Sequence, residues 1–312
     1  MIRPVTTYSL GTNTCFAVKR WPRPAEWAAI VREHLDLDIV QHSFDLVALD
    51  GPSSLRTRQA EEVRVACRRF GLTLQSMLTG QAAYSSNLLL HPDEEVRSQA
   101  EAWYRRAIAF TADVGGRATG GHVGALSVAD WIHAGRRAQL EEELRAALHR
   151  LSGAAWRAGL EALYVENLAA GREPSTMEAM ARLLAPGDER HVPIVLCLDV
   201  GHQCAPGTSG PDRDPYAWLT RMGDRAPVVQ LQQSDATADR HWPFTAERNR
   251  AGRIDADRVL VALDRSGATH VVLILEVVPP FEEDDERVLR DLEESVSYWR
   301  DALRRRAPKG PI

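Results

Sequence analysis

Short apolar runs recur along the chain, and each is followed by a polar or glycine-rich turn and then by a longer amphipathic stretch. The runs are rich in Val, Ile and Leu, which is typical of parallel strands covered on both faces. Eight runs are predicted to be strands: Thr6–Leu10, Leu37–Gln41, Thr73–Leu78, Arg117–His122, Leu160–Glu166, Ile194–Val200, Val228–Gln232 and Val271–Val277.

Helical periodicity fills the segments between these runs, as in 93–113, where apolar side chains recur on one stripe. The longest periodic segment, Ala129–Ala158, is expected to form two helices. The predicted helices are Ala25–Glu33, Leu55–Phe70, Asp93–Asp113, the pair within Ala129–Ala158, Thr176–Leu184, Pro215–Met222, Asp255–Ser266 and Glu286–Arg305.

Eight strands alternating with helices predict an α/β protein, a single (β/α)8 TIM barrel over residues 1–312 with a C-terminal helix. The competing fold is a doubly wound open sheet. Against it, the first strand leads into SLGTNTCF, which lacks a glycine-rich phosphate-binding motif. Two long loops, 203–215 and 234–252, are predicted to be active-site loops, because such loops in compact domains usually have a functional role.

Composition and charge exclude several classes of protein. Apolar residues make up 44% of the 312 residues and charged residues 26%, as in soluble globular proteins. No stretch approaches the roughly 18–20 apolar residues that span a bilayer, and no secretory signal is visible. The formal charge of -5 argues against a nucleic-acid partner. The cysteines form neither a CxxC motif nor a disulfide scaffold, so we expect a reduced, cytoplasmic protein without membrane association.

Acidic residues interrupt the apolar runs near the ends of three late strands. Strand five ends in Glu166, strand six ends in Asp199 with His202 just beyond, and strand eight carries Glu276. In a parallel barrel these ends meet at one mouth. An acid in an apolar strand is costly unless it is paired, hydrogen-bonded or metal-bound. Three converging carboxylates therefore predict one divalent cation, and oxygen ligands suit Mg²⁺ or Mn²⁺.

The seventh strand contributes amides instead of acids. Its sequence, VVQLQQSD, places Gln230 and Gln232 on one face and Gln233 on the other, because side chains alternate along a strand. A glutamine oxygen is a neutral, hard ligand, so either Gln230 or Gln232 is compatible with Mg²⁺ or Mn²⁺.

The fragments YVEN, LDVGH, the polar seventh strand and LILEV together resemble the sugar isomerase/epimerase superfamily with the xylose isomerase-like barrel, which includes ketose 3-epimerases. The resemblance is tightest over residues 160–280. It implies one divalent metal held by Glu166, Asp199, the strand-seven residue and Glu276. Family members usually carry a histidine on strand seven, which this sequence lacks. Gln232 is our choice for that place, with Gln230 as its rival.

The resemblance also implies a reaction. In related epimerases the metal polarises a ketose carbonyl and stabilises an enediolate, while two glutamates on opposite faces of the substrate remove and return the proton. That assigns Glu166 and Glu276 as the acid/base pair. His202 matches the family histidine that contacts substrate. We therefore predict an isomerase or epimerase of a short ketose or ketose phosphate.

Three other hypotheses remain open. The same metal site could serve a decarboxylase or hydrolase of a 3-oxo sugar acid or its phosphate, with Lys19 holding the carboxylate. A phosphodiesterase similar to endonuclease IV is disfavoured by the acidic charge and the strand-seven glutamines, since those enzymes hold several zinc ions on many histidines. A binding module without chemistry predicts loss of acids, yet Glu166 and Glu276 are both present.

Substrate-binding candidates follow the other strands or lie in the second long loop. The 38 basic residues include only two lysines, Lys19 and Lys309, so Lys19 is the one lysine in the body of the chain. Its compact ammonium suits a substrate phosphate or carboxylate. The candidates are Lys19, His42, Gln81, His122, His202, Arg240, His241 and Trp242. The run DRHWPF is expected to cover bound sugar and exclude water, and the helices would permit a homodimer.

Overall fold

The structure, a computed structural model, describes residues 6–306, so Lys309 lies outside the described residues. Eight parallel strands close into a barrel in the order β1 to β8. The predicted (β/α)8 fold is therefore confirmed. The strands are β1 Thr7–Asn13, β2 Ile39–Ser43, β3 Thr73–Leu78, β4 Ala118–Gly121, β5 Ala162–Glu166, β6 Ile194–Asp199, β7 Val228–Leu231 and β8 His270–Leu275.

The helices form the outer layer. They are α1 Pro24–Ala29, α2 Ser53–Phe70, α3 Glu94–Val114, α4 Val128–Ile132, α5 Ala134–Arg157, α6 Met177–Leu183, α7 Pro215–Met222, α8 Ala246–Ala251, α9 Ala256–Ser266 and α10 Asp285–Arg306. The predicted pair within Ala129–Ala158 is observed as α4 and α5. Within residues 6–306, no helix combines the length and apolarity that a membrane crossing requires.

The first two strands extend further than the apolar pattern predicts. The prediction ends strand one at Leu10, whereas β1 continues through Gly11 and Thr12 to Asn13. Likewise β2 continues past Gln41 to Ser43. The added residues are mostly polar because this end of the barrel is lined by buried polar side chains, so an apolar-run criterion stops too early.

Two apolar layers stabilise the barrel. The large layer joins strand residues such as Leu163, Leu198 and Leu273 to buried helix residues such as Trp218 and Trp299. Burying one such side chain contributes about 1.5–3 kcal/mol. A small cluster contains strand residues only and therefore fills the barrel interior; it comprises Leu78, Ala118, Ala162, Tyr164, Cys197, Val228, Val272 and Ile274.

His42 belongs to the layer between the barrel and the helices. Its ring centroid lies 4.9 Å from that of Trp27 on α1, and its Nδ1 lies 2.9 Å from Thr14 Oγ1. Burial lowers the pKa of His42 to about 3, so the imidazole is neutral in the folded protein at neutral pH.

We expect His42 to make the fold acid-sensitive. In the unfolded chain its pKa is about 6.5, so between about pH 6.5 and pH 3 the unfolded state binds the extra proton and stability falls as the pH falls. We expect the free energy of unfolding of the wild type to fall by about 2 kcal/mol more than that of His42→Gln between pH 7 and pH 5. Urea unfolding of both proteins at the two pH values measures this difference.

The matched control is His133→Gln, because His133 is exposed and makes no side-chain cap hydrogen bond. A difference between wild type and His42→Gln that stays constant with pH would contradict the assignment.

Candidate active site

Three carboxylates meet at the C-terminal end of the barrel. Glu166 and Asp199 are the last residues of β5 and β6, and Glu276 directly follows β8. Each offers an oxygen within 4.8 Å of the others. All three residues are buried: Glu166 is 3% exposed, Asp199 0% and Glu276 7%. The structure thus brings together the three strand-end acids that the sequence singled out.

Within residues 6–306, no arginine or lysine forms an ion pair with these three carboxylates. Among residues 6–306, the ion pairs of Glu166, Asp199 and Glu276 involve only His202 and His241. Burial raises the pKa of Glu166 to about 7 and raises the pKa of Glu276 well above its usual value, and neighbouring carboxylates add to both shifts. The donor set therefore fits a divalent cation, which would neutralise this excess of negative charge.

The loop that follows β7 adds Asp239 and His241 to the carboxylates. Asp239 Oδ2 lies 3.0 Å from His241 Nε2 and 3.3 Å from His202 Nε2. Burial alone would lower the pKa of both histidines, but the carboxylates outweigh it. Asp239 raises the pKa of His241 to about 10, and Asp199 with Asp239 raises that of His202 well above its usual value. The sequence did not identify Asp239, although it directly precedes the RHW triplet.

The LDVGH segment folds tightly around Asp199. Asp199 Oδ1 accepts hydrogen bonds from the backbone N–H groups of Gly201 at 2.6 Å and His202 at 3.3 Å. His202 Nδ1 lies 2.6 Å from the Asn167 carbonyl; a carbonyl only accepts, so Nδ1 carries the proton and Nε2 faces the site. A Cβ at position 201 would lie 2.1 Å from Gln232 Cδ, so glycine is required there for Gln232 to reach the cluster.

The side-chain amide of Gln232 points its nitrogen, and not its oxygen, towards the Asp199 carboxylate. Its Oε1 accepts from the His241 backbone N–H at 2.6 Å and the Ser234 hydroxyl at 2.8 Å, and Nε2 lies 3.1 Å from Asp199 Oδ2. An oxygen ligand at this position therefore requires the amide to rotate by half a turn. The rival Gln230 is engaged elsewhere, since its Nε2 donates to Glu276 Oε1 at 2.7 Å.

Tyr84 is a site residue that the sequence did not reveal. It lies on the turn Gln81–Ser85 after β3, and its hydroxyl is 3.3 Å from Glu166 Oε1 and 3.1 Å from His202 Nε2. Asp45 fixes the turn by accepting the backbone N–H of Gln81 at 2.7 Å. The sequence signal that could have found Tyr84 is its position in the segment after β3, which also contains the substrate-binding candidate Gln81. The Tyr84 residue is 40% exposed, but its hydroxyl faces the cluster, where desolvation and the neighbouring carboxylates raise its pKa well above its usual value. The hydroxyl therefore keeps its proton and is a hydrogen-bond donor.

His122 lies behind Tyr84, and His42 lies elsewhere. The His122 ring meets the Tyr84 ring edge-on at 4.8 Å, and its Nε2 is 3.4 Å from Glu173 Oε1. The structure thus places His122 one side chain away from Glu166. His42 instead contacts the helical layer, because Gln41 occupies the inward-facing position on β2 and alternation turns His42 outward. His42, predicted from the sequence as a substrate-binding residue, therefore lies outside the site.

A cavity of about 420 Å³ opens beside the cluster. Lys19 contacts one of its lining residues, with Nζ 4.3 Å from the ring centroid of Phe281, and its φ of 65° is unusual for a residue with a side chain. The lining residues are Gln81, Tyr84, Asp239, Arg240, His241 and segment 278–281. Lys19 is exposed and forms no ion pair within 4.0 Å to any residue of 6–306, so its ammonium is open to solvent beside Phe281.

The two long loops differ in their relation to the cluster. In 234–252, Arg240 lines the cavity and pairs with Asp235 at 3.2 Å. The guanidinium carbons of Arg240 and Arg248 lie 5.1 and 4.5 Å from the centroid of the Trp242 ring, so this ring links two parts of the loop. Segment 203–215 packs against the loop after β5, where a Cβ at Gly207 would lie 1.7 Å from the Ala169 carbonyl oxygen.

Comparison with known proteins agrees with this architecture. Residues 33–302 match the family model described as a xylose isomerase-like TIM barrel. A curated relative, D-erythrulose 1-phosphate 3-epimerase of Brucella abortus, is 27% identical over 299 residues, which cover 94% of this chain and 95% of the relative.

Two solved structures extend the comparison. A putative xylose isomerase from Rhodospirillum rubrum is 35% identical, with a TM-score of 0.87 over 94% of this chain and 99% of that one. An L-ribulose 3-epimerase is 17% identical, with a TM-score of 0.65 over 97% and 99%, and shows a shared fold only. From the matched family model and the closed barrel, we conclude that this chain belongs to the xylose isomerase-like TIM barrel family.

Proposed function

We propose that the protein is a divalent-metal-dependent 3-epimerase of a short ketose or ketose phosphate. The observation that carries the proposal is the convergence of Glu166, Asp199 and Glu276 in one buried cluster beside an open cavity. The coarser prediction, an enzyme of the sugar isomerase/epimerase class, is confirmed by the family and by the relative named as an epimerase. That relative's name also supports a ketose phosphate as substrate.

The residues proposed to hold the metal are Glu166, Asp199 and Glu276, with Gln232 as the fourth. Mn²⁺ or Mg²⁺ suits these oxygen donors better than a softer metal. When bound, the cation supplies polarisation of the ketose carbonyl, which acidifies the neighbouring C–H. Glu166 and Glu276, whose pKa values are raised by burial, would have to be ionised to hold the cation, because carboxylate ligands bind in the deprotonated form.

Glu166 and Glu276 are proposed to exchange the proton on the carbon beside the carbonyl. They project from β5 and β8, and β6 and β7 lie between these strands, so a ketose between them presents opposite faces to the two carboxylates. One glutamate takes the C3 proton and leaves an enediolate. The other delivers a proton to the opposite face, which inverts C3 and leaves the atom count of the sugar unchanged.

The remaining side chains are proposed to orient the sugar. His202 Nε2 and the Tyr84 hydroxyl lie 3.1 Å apart beside Glu166, where they can donate to sugar oxygens. Arg240 lines the cavity, and Lys19 is an exposed cation beside Phe281, which also lines it, so a terminal phosphate would be paired there while the reacting carbon lies deeper. His122, His241 and Trp242 complete the proposed substrate side of the site, with Trp242 acting through the loop whose two parts its ring links.

The Glu166→Gln and Glu276→Gln variants should each lose turnover by at least about 100-fold while keeping the fold, because each removes one proton-transfer group. The assay is NMR in D₂O with Mn²⁺-loaded protein and a panel of short ketoses, ketose phosphates and 3-oxo sugar acids. Deuterium should enter beside the carbonyl without loss of carbon.

The matched control is Glu161→Gln, because Glu161 is an exposed glutamate near the other end of β5. Full activity in either glutamine variant would refute the acid/base assignment. Loss of carbon from the oxo acids would favour the decarboxylase hypothesis, and no exchange by wild type with the whole panel would count against the epimerase.

Removal of the proposed strand-seven ligand should weaken metal binding. We expect Gln232→Ala to lower Mn²⁺ affinity about 10-fold, measured from the EPR signal of free Mn²⁺. Gln81→Ala is the control, since Gln81 lies on the exposed turn at the cavity rim. An unchanged affinity in Gln232→Ala would exclude Gln232 as a ligand.

Lys19 should matter only when the substrate carries a phosphate. Replacing it by glutamine removes one charge-assisted interaction of roughly 1.5 kcal/mol, so KM for a ketose 1-phosphate should rise about 10-fold. The KM for the unphosphorylated ketose should not change, and Arg23→Gln, at another exposed cation, should affect neither. Equal effects of Lys19→Gln on both substrates would contradict a phosphate contact.

A further inference from the structure

We propose that Asn13 and Gln230 form an amide clamp that fixes the orientation of Glu276, so that they are positioning residues for proton transfer. The role in turnover rests on the proposed function above, whereas the clamp itself rests on geometry. Two donors reach one oxygen of the carboxylate: Asn13 Nδ2 lies 2.8 Å from Glu276 Oε1, and Gln230 Nε2 lies 2.7 Å from the same oxygen.

The same two amide groups share a second acceptor. Asn13 Nδ2 lies 3.0 Å and Gln230 Nε2 2.9 Å from Gln41 Oε1. Each NH₂ group therefore gives one hydrogen to Gln41 and one to Glu276, and all four hydrogens are used. The result is a closed ring of two amide donors and two oxygen acceptors inside the barrel.

One backbone group determines the orientation of the ring. The Cys15 backbone N–H donates to Asn13 Oδ1 at 2.9 Å, so the NH₂ end of Asn13 must point towards Gln41 and Glu276. Gln41 must then present its oxygen, and its nitrogen donates to Ser76 Oγ at 3.1 Å. Because each partner accepts only one arrangement, the amide orientations follow from hydrogen-bonding rules.

The ring is fully enclosed, which makes each of its bonds important. Asn13 is 1% exposed, and Gln41 and Gln230 are 0% exposed. Water cannot replace a lost partner there, so a missing donor leaves an unsatisfied buried oxygen. Neutral amides also add no charge to a cluster that already has an excess of carboxylates.

The clamp makes the two proposed proton-transfer groups unequal. Glu276 Oε1 is held by donors from β1 and β7, the two neighbours of β8, and Oε2 is directed to the site, 3.7 Å from His241 Nδ1. The contacts of Glu166 are longer: the Tyr84 hydroxyl lies 3.3 Å and His202 Nδ1 3.8 Å from its Oε1. Glu276 is thus the more firmly oriented of the two carboxylates, since two short amide hydrogen bonds hold one of its oxygens.

The test uses apolar replacements of similar length, Gln230→Met and Asn13→Leu. The matched control is Gln233→Met, because Gln233 is an equally buried glutamine three positions further on. Within residues 6–306 its amide bonds to Asn249 and to backbone groups, and not to Glu276. We expect Gln230→Met to lower kcat about 10- to 100-fold, because a group that orients a ligand typically contributes this much to activity. KM should change little. Gln233→Met should not change kcat.

A second readout needs no substrate. Gln230→Met should lower Mn²⁺ affinity about 10-fold in the wild-type background and leave it unchanged in the Glu276→Gln background, since the clamp acts through Glu276. A purely structural role would lower affinity equally in both backgrounds. A metal-free crystal structure of Gln230→Met should show the Glu276 carboxylate turned away from its wild-type position.

The possible failures are distinguishable. If wild type turns over a ketose and Gln230→Met matches Gln233→Met in kcat, the clamp is refuted and the proposed function stands. If no ketose exchanges deuterium but the carboxylate moves in Gln230→Met, the proposed function falls and the clamp stands. An unmoved Glu276 carboxylate in both Gln230→Met and Asn13→Leu overturns the clamp outright.

Discussion

The crowding of buried carboxylates at one end of the barrel is the constraint on which the site depends. Glu166, Asp199 and Glu276 lie within reach of one cation, and Asp239 adds a fourth negative group beside His202. Bringing such groups out of water and close together costs several kcal/mol per ion unless each charge is compensated. The compensation comes from two histidines, from neutral amides and hydroxyls, and, in our proposal, from a divalent metal. The absence of a lysine or arginine ion pair to these three carboxylates within residues 6–306 leaves room for that metal.

The barrel and its loops contribute different parts of this arrangement. Parallel closure brings the carboxyl ends of all eight strands to one mouth, which is why acids far apart in sequence become neighbours. The rigid strands carry the acids and the amide ring, whereas the loops after β3 and β7 bring Tyr84, Asp239 and His241 over them. Groups that must hold a fixed geometry therefore lie on the barrel, and groups that must admit and release substrate lie on connecting segments.

This division agrees with the asymmetry of the two glutamates. Glu276 is held from within the barrel by neighbours on both sides, and Glu166 contacts a tyrosine from a short turn that borders the cavity. In the proposed arrangement, a ketose that enters from the cavity would meet the Tyr84 side of the cluster first, with its phosphate held near Lys19. Arg240 lines the cavity and the buried cluster beside it is acidic, so in the proposed arrangement charge favours entry with the phosphate outermost.

The sequence alone determined the fold class, the eight strands and the convergence of Glu166, Asp199 and Glu276, because apolar runs and the acids that interrupt them are local signals. It could not decide which face His42 takes, since β2 continues beyond its apolar run. It could not show that Tyr84 and Asp239 reach the cluster, because irregular turns carry no periodicity. It placed Gln230 and Gln232 on one face but could not separate their roles. Only the tertiary structure did so, since hydrogen-bond donors and acceptors from distant strands fix which end of each amide faces the carboxylates.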